Sequence, residues 1–372
     1  MDRFKQIDIL RAVAVVIVLG RHMTPCPPET SALFHSVTRT WAQGGWVGVD
    51  LFFVLSGFLV SGLLFREHEK HRNLRIGYFL IRRGLKIYPS FWLLIGATFL
   101  VRILRQKEPN YSGLAVELLF VQNYWVGLWG HTWSLAVEEH FYLLLASLLF
   151  VLAKRRYVNP FGLIPSIFFL TAILCLAFRI LTVSHFSYNH WTHLFPTHLR
   201  LDALFFGVFL SYLFHSNPIR FVSFARRFRF LLICVGIVFL LPAFCFPLET
   251  TPFILTYGLT LFYLAGGCLL VSAIGFQSPS NQVGSAIAYI GSHSYSVYLW
   301  HVPLELIVAT LISSVLSAEY GWFAYAVTYL IGVIVFGIAV SKIVEFPILR
   351  FRDRFLPSRE IPLSFETRRK HS

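Results

Sequence analysis

The stretch Ile7-Asp-Ile-Leu-Arg11-Ala-Val-Ala-Val-Val-Ile-Val-Leu-Gly-Arg21-His22-Met23 reads as a membrane span that carries charge. Ten residues separate Arg11 from His22. At about 100° per residue the His returns to within about 20° of the Arg, about 16 Å further along the axis. The two share a face. An ionisable side chain inside a bilayer costs on the order of 3 kcal/mol or more unless it meets a partner or a polar cavity. Two on one stripe therefore predict a hydrated interior lined by this helix. The plainer alternative is that Arg11 snorkels to the headgroups and His22 ends the helix.

Working outward, the 372 residues are 56% apolar and 17% aromatic, with mean hydropathy +0.65. This excludes an ordinary soluble globule and predicts an all-α, polytopic membrane protein. Ten apolar windows lie near 7–23, 46–65, 89–104, 134–153, 160–180, 201–215, 230–246, 254–275, 293–313 and 322–344. The net charge of +14 sits in blocks between them: Arg3 and Lys5, Arg66 through Lys86, Lys154 to Arg156, Arg220 through Arg229, and Arg350 through Lys370. Blocks of this kind are cytoplasmic loops under the positive-inside rule, not a nucleic-acid surface. They place both termini in the cytoplasm, although Arg102, Arg105 and Lys107 end the third span on the other side, and the loop 276–287 lacks Lys and Arg. Residues 1–345 form one transmembrane unit, 346–372 a short basic cytoplasmic tail, and no soluble domain is appended. Residues 114–128 are too short and polar to cross and read as a re-entrant or interfacial helix. The retained first span has no cleavage pattern. Five scattered cysteines indicate neither a disulfide framework nor a metal knuckle.

Several constellations could carry chemistry. Arg82, Arg83 and Lys86, before Tyr88-Pro89, suit phosphates, with coenzyme A as a cytoplasmic candidate and anionic lipid as the alternative. In Trp133-Ser134-Leu-Ala-Val-Glu138-Glu139-His140-Phe141-Tyr142, the residues Ser134, Glu138 and Tyr142 share a helix face. A carboxylate there could orient His22 as the acid of a triad does, or pair with Arg11 or Arg200 to hold helices together. Gly48-Val-Asp50 through Phe58 puts an acid on an aromatic helix whose Ser56, Gly57, Ser61 and Gly62 allow close packing. Arg200 and Asp202, two apart, each need a partner from another span. His185, His190, His193 and His198 match no compact metal motif, and with Tyr188 and Trp191 better suit a glycan or the headgroup zone. Ser296 and Tyr298 give the ninth span a polar first turn. No nucleophile elbow or phosphate loop stands in a suitable context.

In this order, the Arg11-x10-His22 pair, Gly48–Phe58, Arg82–Pro89, Trp133–Tyr142, Arg200–Gly207 and Ser294–Pro303 resemble the membrane-bound acyltransferase 3 family, bacterial O-acyltransferases of surface carbohydrates. The likeness runs from about Ile7 to Pro347. It implies a ten-helix bundle in the bacterial inner membrane and transfer of an acyl group, acetyl by family habit, from acyl-CoA to a hydroxyl of a carbohydrate or glycolipid. Acyl-CoA is then a donor substrate, with no permanently bound cofactor and no metal. Lys86 stands where the family's motif often has Arg, which keeps the charge and loses the bidentate fork. Some relatives append a hydrolase-like domain; without one, the bundle itself must deliver the acyl group.

The expected roles follow. His22 is the general base, supported by Glu138, and Arg11, Arg82, Arg83 and Lys86 hold the donor's phosphates. Asp50, Trp133, Ser134, Arg200, Asp202, Ser296 and Tyr298 contact substrate. A transporter or flippase for a glycolipid or small polar solute is the alternative, predicting inverted repeats that the sequence does not display.

Overall fold

The computed structural model describes residues 5–155, 159–315 and 318–357. Among them there is no strand. The chain runs through α1 (Lys5–His22), α2 (Ala32–Gly44), α3 (Gly48–His71), α4 (Ile76–Leu104), α5 (Tyr111–Leu118), α6 (Trp133–Ala153), α7 (Ile164–His185) and α8 (His190–His193). It continues through α9 (Leu201–Ser216), α10 (Pro218–Cys245), α11 (Leu259–Gly275), α12 (Gln282–Ser292), α13 (Ser294–Val315), α14 (Ala318–Val340) and α15 (Phe346–Phe355). Arg3, Arg156 and the tail from Ser358 onward lie outside the described residues.

All ten apolar windows are helical over most of their length. Eight helical stretches are long and apolar enough to cross a membrane by length and composition. The other two expected segments are α1, which carries Lys5, Asp8, Arg11 and Arg21, and the 16-residue α9. Both bury much of their length inside the bundle. The sorting has a physical cause: α7 and α10 have long apolar runs and turn many of their large side chains outward, whereas α1 and α9, with ions near or within their apolar runs, retreat to where partners exist.

α1 is the inner helix, packed against α3, α11, α12 and α13. Pro25, Pro27 and Pro28 terminate it, since proline supplies no amide donor and constrains the residue before it. Its final turn is pinned from α14, where Tyr329 donates to the Leu19 carbonyl (3.2 Å), and from α2, where the Trp41 indole donates to the Ile17 carbonyl (3.1 Å). α3 crosses α9 through two glycines: a Cβ on Gly57 would lie 2.0 Å from the Leu204 carbonyl, and one on Gly207 2.2 Å from that of Val54. The close packing expected at Gly57 is present, and Ser61 folds back onto the Gly57 carbonyl.

Four elements differ from expectation. α4 begins at Ile76 rather than near 89 and continues through Pro89, so its three cations ride on the helix itself. α2 and α12 are additional short helices. Segment 114–128 is the eight-residue α5 followed by irregular chain. It is organised around the buried Glu117, which accepts from the amides of Leu128 and Trp129 and the hydroxyl of Thr132. Burial pushes its carboxyl up to about 7, and these donors oppose the shift. The loop after α11 sits at the same end as the start of α1, with Gln6 donating to the Phe276 carbonyl.

Candidate functional site

A cavity of about 810 Å³ opens at the basic end of the bundle, within the range of small-molecule sites. Among the described residues, its wall carries six cations (Arg11, Arg66, Arg82, Arg83, Lys86 and Arg352) against four carboxyls (Asp8, Glu67, Glu138 and Asp353). The helical course of α4 aims its three cations at one wall. Arg82 pairs with Asp353 at 3.1 Å and donates to the Leu356 carbonyl, so α15 closes over this end. Arg83 lies over the Tyr142 ring, 5.4 Å from its centre. Arg11 pairs with Asp8, one turn earlier, at 3.7 Å.

At the inner end a chain of hydroxyls replaces the cations. Tyr298 donates to the His131 carbonyl at 2.7 Å, so Ser134, also 2.7 Å away, must donate to Tyr298. By the same logic Tyr142 donates to Glu138, and Ser56 donates to Tyr142 at 2.8 Å. Beyond this layer the rings of Tyr298, His301 and His22 follow in succession, at centroid distances of 5.3 and 4.7 Å. His131 meets His301 edge-on at 5.0 Å.

The structure brings Arg11, Arg82, Arg83, Lys86, Ser134, Glu138 and Tyr298 to one cavity. His22 is on the same unbroken helix as Arg11 but lies past the hydroxyl layer, outside the cavity wall. Glu138 is not the partner of His22. Its hydrogen bond goes to Tyr142, and its charge couples to Arg83, Lys86 and Arg11, because it enters the bundle at the level of Arg11, three helical turns from His22. Glu139 instead accepts from the Tyr88 hydroxyl at 3.0 Å.

Five other expected contacts are off the cavity wall. Arg200 and Asp50 form a buried pair at 2.7 Å, with the guanidinium 5.6 Å from the centres of both the Phe53 and Trp133 rings. Trp133 itself stacks on Phe195 at 4.7 Å. Asp202 accepts from Arg179 with both oxygens. Ser296 donates to Glu345, locking α13 to the turn that joins α14 to α15. In the structure these residues join helices: each of the two ions near the start of α9 finds the partner from another span that its spacing demanded.

Sequence reasoning passed over Arg179, His131 and His301. Arg179 gave the same signal as Arg11, an ion inside an apolar run. His301 was visible within Ser294–Pro303, and its setting follows from Pro303. Lacking an amide proton, Pro303 frees the Leu299 carbonyl one turn earlier, and His131 Nε2 donates to it at 3.0 Å. No metal-holding group of three or more His, Cys, Asp and Glu residues occurs among the described residues.

Comparison with known proteins completes the picture. The chain is 29% identical to the peptidoglycan O-acetyltransferase OatA of Listeria monocytogenes over 326 residues, covering 80% of this chain and 49% of that protein. It is 28% identical to a putative O-acetyltransferase of Staphylococcus aureus strain COL, covering 79% and 49%, and 25% identical to the O-acetyltransferase OatA of S. aureus strain NCTC 8325, covering 81% and 50%. The chain thus spans about half the length of these curated relatives. No solved structure matches it. The acyltransferase domain model matches residues 4–342, a run that contains all of α1 through α14, and the chain therefore belongs to the acyltransferase 3 family.

Proposed function

We propose that the protein is a multi-pass O-acyltransferase of the bacterial plasma membrane. It moves an acyl group, acetyl by analogy with the named relatives, from cytoplasmic acyl-CoA to a hydroxyl of a carbohydrate or glycolipid, with His22 as general base. One observation carries the reading: a single helix places Arg11 on the wall of a cationic cavity and His22 about 16 Å away, beyond the cavity's inner end. Six cations around one cavity suit a donor bearing several phosphates, since charge-assisted hydrogen bonds reward polyanions. An extended pantetheine arm is comparable in length to the Arg11–His22 rise, so phosphates held at the basic end would leave the thioester near Ser134 and Tyr298. The glycan acceptor rests on the name of the Listeria relative.

The acceptor oxygen attacks the thioester carbonyl while His22 takes its proton; the carbon–oxygen bond forms and the carbon–sulfur bond breaks. The imidazolium returns the proton to the departing thiolate.

Replacing His22 with Ala is the test. Purified His22→Ala protein is expected to insert, to bind CoA as wild type does, and to lose transfer by at least about 100-fold. Acyl transfer at the wild-type rate would overturn the assignment. Saturable CoA binding, competed by acyl-CoA, separates this reading from a transporter.

A further inference from the structure

His22 makes no hydrogen bond or ion pair with any described residue; its ring contact is with His301. The ionisable groups whose charges act on it are Arg21 beside it on α1, His301 on α13, and His131 ahead of α6. No carboxylate is among them, so the orienting role expected of an acid falls to something else.

The hydrogen bonds of the two neighbouring imidazoles fix their tautomers. The His301 Nδ1 partner is the Tyr298 carbonyl, and the His131 Nε2 partner is the Leu299 carbonyl. A carbonyl only accepts, so both ring nitrogens must carry hydrogen, and in the neutral rings the opposite nitrogens bear lone pairs. Those nitrogens, His301 Nε2 and His131 Nδ1, are buried and have no partner. A buried polar atom left this way is costly. His301 is fully buried, and its ring stands 70° to that of His22 at a centroid separation of 4.7 Å, a separation short enough for a nitrogen of one ring to reach a nitrogen of the other.

We propose that His301 is the positioning residue for His22: its Nε2 accepts the N–H of His22 and leaves the other nitrogen of His22 as the lone pair that receives the acceptor's proton. The proposal rests on the reading of His22 as the base. When that proton arrives, the imidazolium still donates to His301 Nε2, and it later passes the proton to the thiolate of CoA, so His301 neither gains nor loses a proton. A neutral imidazole here does what a carboxylate does in a triad, without adding a charge to an apolar layer.

The test compares His301→Phe, which keeps a ring in the space, with His301→Gln, which restores an acceptor. Purified full-length protein is supplied with acetyl-CoA and the host cell's envelope glycan, and release of CoA thiol is followed. We expect His301→Phe to lower kcat by about 100-fold, with KM for acetyl-CoA and binding of CoA within twofold of wild type. His301→Gln should regain at least about tenfold of that loss. A kcat within twofold of wild type in His301→Phe overturns the proposal, as does a Gln variant no better than Phe, which would mark a packing role only. Activity retained by His22→Ala instead overturns the base assignment, whereas an inactive His22→Ala beside a normal His301→Phe defeats this proposal alone.

Discussion

Arg179 lies in the middle of α7 at 1% exposure, held by the Leu199 carbonyl and by both oxygens of Asp202 at 2.6 and 2.7 Å. Removing one member of such a pair strands a charge where water cannot reach it, at about 3–5 kcal/mol, while replacing both by apolar residues restores most of the loss. Arg179→Leu is therefore expected to lower the apparent Tm of the detergent-solubilised protein sharply, and Arg179→Leu with Asp202→Leu to recover most of it. An Arg179→Leu protein as stable as wild type would show that the pair contributes nothing. The need for this partner was legible from Arg200 and Asp202, two apart on one helix. Its identity was not, because one sequence states which residues are ionic but not which spans are neighbours. Glu138 failed to reach His22 for the same reason: helix rise fixes depth along one span, and only packing sets the depth of a second span against it.

Between elements, the tightest glycine position among the described residues lies where α12 meets α1. A Cβ on Gly291 would lie 1.7 Å from the carbonyl oxygen of Asp8, and Asp8 is the ion partner of Arg11. Gly291→Ala must then push the helices apart, an overpacking that costs about 1–3 kcal/mol, and the strain falls on the turn that aims Arg11 into the cavity. A lower apparent Tm together with a raised KM for acetyl-CoA is the expected outcome. Gly332→Ala, with nothing within 4 Å of its Cβ, should change neither. A Gly291→Ala enzyme with wild-type KM would separate Arg11 from donor binding. That α12 exists was hidden in the sequence, because an 11-residue helix offers no window long enough to register as a span. The start of α4 was misjudged because Pro89 after three cations looks like a boundary. Inside a bundle neighbouring groups compensate for what proline removes, as the His131 bond to the carbonyl freed by Pro303 illustrates.

Over the whole molecule, the chain has an excess of 14 positive charges, and among the described residues polar groups are sorted lengthwise around the cavity. The cation-rich end, with Arg82, Arg83, Lys86 and Arg352 around the cavity mouth, is followed by a layer of tyrosine and serine hydroxyls and then by imidazoles. This gradient was partly readable, since the basic blocks recur at alternate loops. The convergence of α1, α4, α6 and α13 on one cavity was not, for it depends on the order in which spans pack. Such a field predicts that donor capture is electrostatic while the acyl step is not. The screening length falls from about 10 Å at 0.1 M salt to about 3 Å at 1 M, so KM for acetyl-CoA should rise steeply over that range with kcat nearly constant. Arg83→Gln removes one charge from the wall without breaking an ion pair. It should raise KM about tenfold at low salt, the equivalent of about 1.4 kcal/mol for one charge-assisted bond, and flatten the salt dependence. If KM were indifferent to salt, or if Arg83→Gln changed kcat alone, the cationic cavity would not be where the phosphates bind, and the path from Arg11 to His22 would lose its starting point.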